Sequence, residues 1–187
     1  LPRQEILRFE EIHEIVRVSA ELGITRVRLT GGEPLVREGV VELVRMLAAV
    51  PHLEDLSLTT NGVLLADQAQ ALRAAGLRRI NISLDTLRPD RFRRITRFGE
   101  ITDVRRGITA SLEAGLDPVK LNMVVVRGVN DDEVADLAAL TRSLPVEVRF
   151  IELMPIGDYF SREKLVPAVE ILSSVERLGM LSPAVSG

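Results

Sequence analysis

No cysteine and no tryptophan occur among the 187 residues of this chain. Without cysteine it can form no disulfide, offer no thiolate to a metal and use no thiol nucleophile. Histidine is scarce, at His13 and His52 only. His13 lies among glutamates in a helical pattern, and His52 follows Pro51 in a turn. Neither is a catalytic candidate, no histidine cluster suggests zinc, and no Ser-His-Asp set has a workable spacing. Aromatic residues are 3%, so the core must be built from Leu, Val, Ile and Ala. Lysine is confined to Lys120 and Lys164, and all other cations are arginine. No apolar run nears the roughly 20 residues that span a bilayer, and no signal-peptide pattern opens the chain. The expectation is no membrane association and a cytoplasmic location. A net charge of −3 gives no sign of the basic face that nucleic-acid binders carry. The chain opens on Leu1 and not on Met, so a piece of a longer protein is expected.

What is present is regular. Hydrophobic residues at 46% and charged residues at 27% describe a folded domain. Short β-branched runs at 25–29, 55–59, 79–83, 119–126 and 146–152 alternate with amphipathic patterns. Those patterns close on Gly23, Gly76, Gly115 and Gly179, as helices often do. "VVELVRMLAAV" stops before Pro51. A further helix is expected from Asn130, with Glu133 three residues on at capping-box spacing. Strand and helix in alternation predict a parallel sheet with crossover helices, open or closed into a barrel. No linker or second domain is visible, so residues 1–187 read as one domain.

Parallel α/β folds place chemistry at the carboxyl ends of their strands. Here those ends carry Arg28 and "TGGEP" (Thr30–Pro34), Thr59 and Asn61 in "LTTNG", Ser83 and Asp85 in "NISLDT", Lys120 and Asn122, and then Arg149, Glu152 and Met154. Each has a structural reading as well. Gly31-Gly32 and "TNG" suit turns, "SLD" suits a helix cap, and Met154 suits a core. Lys120 stands in an apolar strand, where a cation needs a partner or a cavity. It reads as a strand-end lysine, a phosphate clamp or a Schiff-base amine. Arg26 and Arg28 alternate along one strand and share a side.

Taken in order, "LTGGEPLVRE", "LTTNGVLL", "INISLDTL", "FRRITR", "VKLNMVVVRGVNDDEV" and "RFIELMPIG" resemble the GTP 3′,8-cyclase family. These are radical S-adenosylmethionine (SAM) enzymes that begin molybdenum cofactor synthesis. The resemblance runs from Phe9 to Gly157 and on towards Gly179. It implies a partial (β/α)6 TIM-like barrel of radical SAM type, with about five βα units present here. The loop carrying three cluster cysteines and the carboxy-terminal region carrying three more lie outside the match. The cofactors implied are SAM and two [4Fe–4S] clusters, whose ligands this chain lacks, so the chain alone is expected to be inactive. For SAM the resemblance assigns Gly32, Glu33, Ser83, Met154 and Asn61. For GTP it assigns Arg28, Thr59 and Lys120, with Arg26 and Arg149 as helpers. No catalytic side chain and no metal ligand is assigned, because a SAM-derived radical would take the ribose 3′ hydrogen and begin closure onto guanine C8. A downstream pathway enzyme would take the product, and a homodimer is compatible with the family. Other readings remain open at this point: a peptide-modifying radical SAM enzyme, a Schiff-base aldolase using Lys120, or a catalytically inactive barrel.

Overall fold

The computed structural model describes residues 6–157 and 159–183. Helices and strands alternate as the sequence predicts. The strands are β1 (Arg26–Leu29), β2 (Asp55–Thr60), β3 (Arg79–Ser83), β4 (Val119–Val125) and β5 (Val146–Glu152). The helices are α1 (Phe9–Glu21), α2 (Val40–Ala48), α3 (Ala69–Ala74), α4 (Pro89–Thr96), α5 (Ile101–Glu113), α6 (Val134–Ala139) and α7 (Ala168–Glu176). The sheet runs in sequence order, β1-β2-β3-β4-β5. Two compact units are present, Leu1–Ile82 with Thr102–Val119, and Ser83–Ile101 with Lys120–Gly187.

In the first unit, β1 pairs parallel with β2 (Val27↔Leu56, Arg28↔Ser57) and β2 with β3 (Leu58↔Ile80, Thr59↔Asn81). Side chains alternate across a strand. This register therefore gathers Leu56, Leu58, Ile80 and Ile82, all buried, on one face. Arg26, Arg28, Ser57, Thr59, Arg79 and Asn81 fall on the other. Buried residues of α2 (Leu43, Val44, Leu47), α3 (Leu72) and α5 (Val104, Ile108) complete the apolar layer. Each fully buried Leu or Ile contributes about 1.5–3 kcal/mol. The turn after β2 sits directly on α5. A Cβ on Gly107 would lie 2.7 Å from the Gly62 carbonyl oxygen and 3.1 Å from Leu65 Cβ. Gly62 has φ +82, and a Cβ there would meet Ile82 Cγ2 at 2.9 Å.

The second unit follows the same alternation. In β4, Leu121, Met123 and Val125 are buried, while Lys120, Asn122 and Val124 take the other side. In β5, Val146, Val148 and Phe150 are half-buried, and Glu147, Arg149 and Ile151 are exposed. Leu84, Phe92 of α4 and Leu137 of α6 are almost wholly buried.

Two features depart from the sequence reading. Helix α4 offers no apolar run to the sequence reading, because five of its eight residues are Asp, Arg or Thr and only Phe92 is buried. The helix expected from Asn130 is broken into a 3₁₀ turn (Asp131–Glu133), α6 and a second 3₁₀ turn (Leu140–Arg142). The capping box does not form. The Asn130 Oδ1 accepts from Val126 N (2.7 Å), and its Nδ2 donates to the Asp85 and Val124 carbonyls (2.8 and 2.9 Å). Glu133 is buried and accepts from Thr86 Oγ1 (2.6 Å) and Leu87 N (2.7 Å), with Arg91 as its ion-pair partner. Both side chains serve the tertiary fold in place of the helix start.

The packing of α5 has a direct test. Gly107→Ala forces its new methyl against a backbone carbonyl, and overpacking of this kind costs about 1–3 kcal/mol. Urea unfolding should show a lower midpoint with an unchanged slope.

Candidate functional site

The segment after β1 is held by one carboxylate. Glu33 Oε1 accepts from its own loop at Leu35 N (3.0 Å) and from Thr60 Oγ1 (2.7 Å), and Oε2 accepts from Asn61 N (2.7 Å). The Glu33 side chain is thus committed inside the protein, and it fastens the end of β1 to the end of β2. What the segment presents outward is backbone. Gly31 and Gly32 are exposed, neither has a positive φ, and a Cβ on either would meet nothing within 4 Å. Gly62 and Gly107 are required by packing, but nothing in the described chain requires glycine at 31 or 32. Leu29–Pro34 line part of a cavity of about 980 Å³. Asn61, brought to Glu33 by its amide, uses its side-chain Oδ1 to accept from Val63 N (2.9 Å), an Asx turn within its own loop.

On the polar face of the same unit, Arg79 pairs with Asp55, and both side chains are largely covered (23% and 17% exposed). Arg26 and Arg28 are exposed, and neither has an ion-pair partner among the described residues. Thr59 lies on this face, half-buried, in register with Asn81.

In the second unit, Lys120 is buried and pairs with Glu147 at 2.8 Å. Arg149, two residues along β5, lies 3.6 Å from the same carboxylate. Glu147 therefore brings Lys120 and Arg149 together. Lys120 is engaged as a cation and does not stand alone in an apolar pocket, as an amine nucleophile would. Ser83 is exposed at the end of β3, and the next residue, Leu84, donates its N–H to the Asn122 carbonyl (2.8 Å). Met154 is 58% exposed just past β5. Its carbonyl accepts from Ile156 N (2.8 Å), and no hydrogen bond links it to the other candidates among the described residues.

Asn122 is a residue whose importance sequence reasoning missed. Its Oδ1 is buried without a hydrogen-bond partner, and a buried acceptor left so costs about 1–3 kcal/mol. The only sequence signal was a polar residue alternating with Lys120 in an apolar strand. Nearby, the Asp85 carboxylate accepts from Val124 N (2.9 Å), and burial pushes its pKa above the ordinary carboxylate value. Among the described residues no group of three His, Cys, Asp or Glu could hold a metal ion. With no cysteine in the chain, an iron–sulfur cluster would find no thiolate ligands here.

The model of the radical SAM superfamily matches residues 1–141. The chain belongs to the radical SAM superfamily. Among curated relatives, it is 58% identical over 181 residues to GTP 3′,8-cyclase of Moorella thermoacetica, a match covering 96% of this chain and 56% of the relative. It is 52% identical over 187 residues to GTP 3′,8-cyclase of Pelotomaculum thermopropionicum, covering 98% and 58%. The chain thus spans little more than half the length of these relatives. Its fold is similar to that of methylornithine synthase, with TM-score 0.68 and 18% identity over 91% of this chain and 52% of that one. It is similar as well to coproporphyrinogen III oxidase from Escherichia coli, a radical SAM enzyme, with TM-score 0.61 and 15% identity over 91% of this chain and 44% of that one, in keeping with the α/β partial barrel read from the sequence. The open glycine segment fits a ligand such as SAM that approaches backbone closely. The residues present do not fit an iron–sulfur cluster.

Three substitutions follow from this geometry. Gly31→Ala should change folding stability by less than about 0.5 kcal/mol, as at a surface site without special features. Glu33→Ala should cost about 2–3 kcal/mol, because it strands three donors. Asp85→Asn probes linkage. A carboxyl whose folded pKa is raised is least costly when protonated, so its contribution to stability is present in acid and lost as pH rises through the folded value. The Asn variant should therefore gain stability over the parent at about pH 7 and lose that advantage near about pH 3 in urea titrations.

Proposed function

We propose that this chain is the barrel of a GTP 3′,8-cyclase, acting in the first step of molybdenum cofactor biosynthesis. The observation that carries the reading is the unmatched positive charge on the polar strand faces. Arg26 and Arg28 are exposed without acidic partners among the described residues, beside an Arg79 that has its own Asp55. Cations set side by side without a counter-charge await an anion, and arginine forks match phosphate oxygens bidentately. Lys120 and Arg149 add two further cations on β4 and β5. The identity of 58% to a relative named for this activity supports the choice of GTP as the anion.

On this reading Arg26, Arg28, Thr59, Lys120 and Arg149 hold the triphosphate and ribose. The backbone of Gly32 and Glu33 holds the methionine part of SAM. Ser83, Asn61 and Met154 supply further SAM contacts. The orphan Oδ1 of Asn122 is an acceptor suited to a ribose hydroxyl, next to Ser83 in the fold. SAM, when bound with a reduced cluster, supplies the radical chemistry. The chain's own work is to bind both molecules, fix their orientation and keep water from them. Cluster thiolates would come from outside these 187 residues, which on this reading form one barrel domain. A cytoplasmic setting, a homodimer and a downstream enzyme that consumes the product complete the reading. No helix among the described residues is long and apolar enough to cross a membrane.

The test separates the two ligands in calorimetric titrations of the complete protein. Arg28→Ala should weaken GTP binding by about 10- to 100-fold, the value of a charged hydrogen bond, with SAM affinity kept. Gly32→Val should do the reverse. Equal loss of both ligands in Arg28→Ala counts against the assignment.

A further inference from the structure

The Lys120–Glu147 pair is lopsided. The Lys120 side chain is 5% exposed and the Glu147 side chain 51%. Buried charge is costly unless it is paired, so the ammonium must keep an anion beside it. The carboxylate has no such need, because half of it already lies in water. The pair Arg79–Asp55 is different, for both its members are largely covered and neither has an easy exit. In Lys120–Glu147 the cation is fixed and the anion is free to leave. Glu147 also reaches towards Arg149, at 3.6 Å. One carboxylate thus occupies both cations that the proposed reading gives to phosphate on β4 and β5.

We propose that Glu147 is a placeholder anion of the phosphate site, an inference that rests on the cyclase reading above. With no nucleotide bound, it neutralises Lys120 and Arg149 and spares the buried ammonium from standing alone. A triphosphate takes over both cations, and Glu147 turns out to solvent. Any anion that takes these two cations must first displace a tethered carboxylate, so its affinity is lowered, and most for the ligand whose phosphates engage both cations. Nothing covalent changes in this exchange.

Glu147→Gln keeps an oxygen for Lys120 to donate to and removes the charge at a half-exposed position. The complete protein, its Glu147→Gln variant and its Glu147→Asp variant are titrated with GTP, GDP, guanosine and inorganic tripolyphosphate. Glu147→Gln should bind GTP and tripolyphosphate on the order of tenfold more tightly, since a like charge beside the ligand is removed. GDP should gain less, guanosine should be unmoved, and Glu147→Asp should stay near the parent. A merely structural pair would not grade its effect by phosphate number. If the parent binds GTP and Glu147→Gln binds it equally or more weakly, the placeholder role is overturned and the cyclase reading stands. If the parent does not bind GTP, the cyclase reading falls. Tripolyphosphate then decides for Glu147, where a gain in Glu147→Gln keeps the role and no gain overturns it.

Discussion

A parallel strand that ends in a loop leaves backbone N–H groups that its neighbours no longer reach, and buried ones must find an oxygen. In this protein side-chain oxygens meet that need at the strand ends of both units. Glu33 takes Leu35 N, Asn61 N and the Thr60 hydroxyl. Asp85 takes Val124 N, Asn130 takes Val126 N, and Glu133 takes Leu87 N and the Thr86 hydroxyl. Glu33, Asp85 and Glu133 each join segments distant in sequence, so the loops are clamped where they leave the sheet. Binding groups placed on such loops and strands inherit that rigidity. The acid of "GGEP", Glu133 of "NDDE" and the aspartate of "SLD" are thus spent on holding the chain's own backbone.

The parts of the fold that were legible in the sequence are those governed by local periodicity. Alternation of apolar and polar residues located all five strands, and their boundaries agree within a residue. It also showed that Arg26 and Arg28 share a side, and the parallel register adds Ser57 and Arg79 to their face. What was illegible depends on contacts between distant residues. Asn130 and Glu133 have the spacing of a capping box, but each was claimed by the 84–91 segment. Helix α4 was hidden because most of its residues are charged or polar, with salt bridges in place of an apolar stripe. The orphan oxygen of Asn122 and the double engagement of Glu147 exist only once strands lie side by side.

The glycines separate two causes that look identical in sequence. Gly62 and Gly107 are small because neighbouring atoms leave no room, and Gly62 also has a left-handed backbone. Gly31 and Gly32 meet neither condition. No neighbour in the fold demands glycine there. The clamped Glu33 next to them fixes where the pair leaves β1.

The same comparison applies to charge. Arg79 and Asp55 neutralise one another under cover, so they ask nothing of a ligand. Arg26 and Arg28 stand on the same polar face without that compensation among the described residues. Their side chains reach water, so they cost the folded state little, in the way surface charges do. Lys120 is deeper and has no such recourse, and therefore the chain provides Glu147. Exposure thus decides how each cation is managed: solvent serves the outer arginines, and a carboxylate serves the inner lysine.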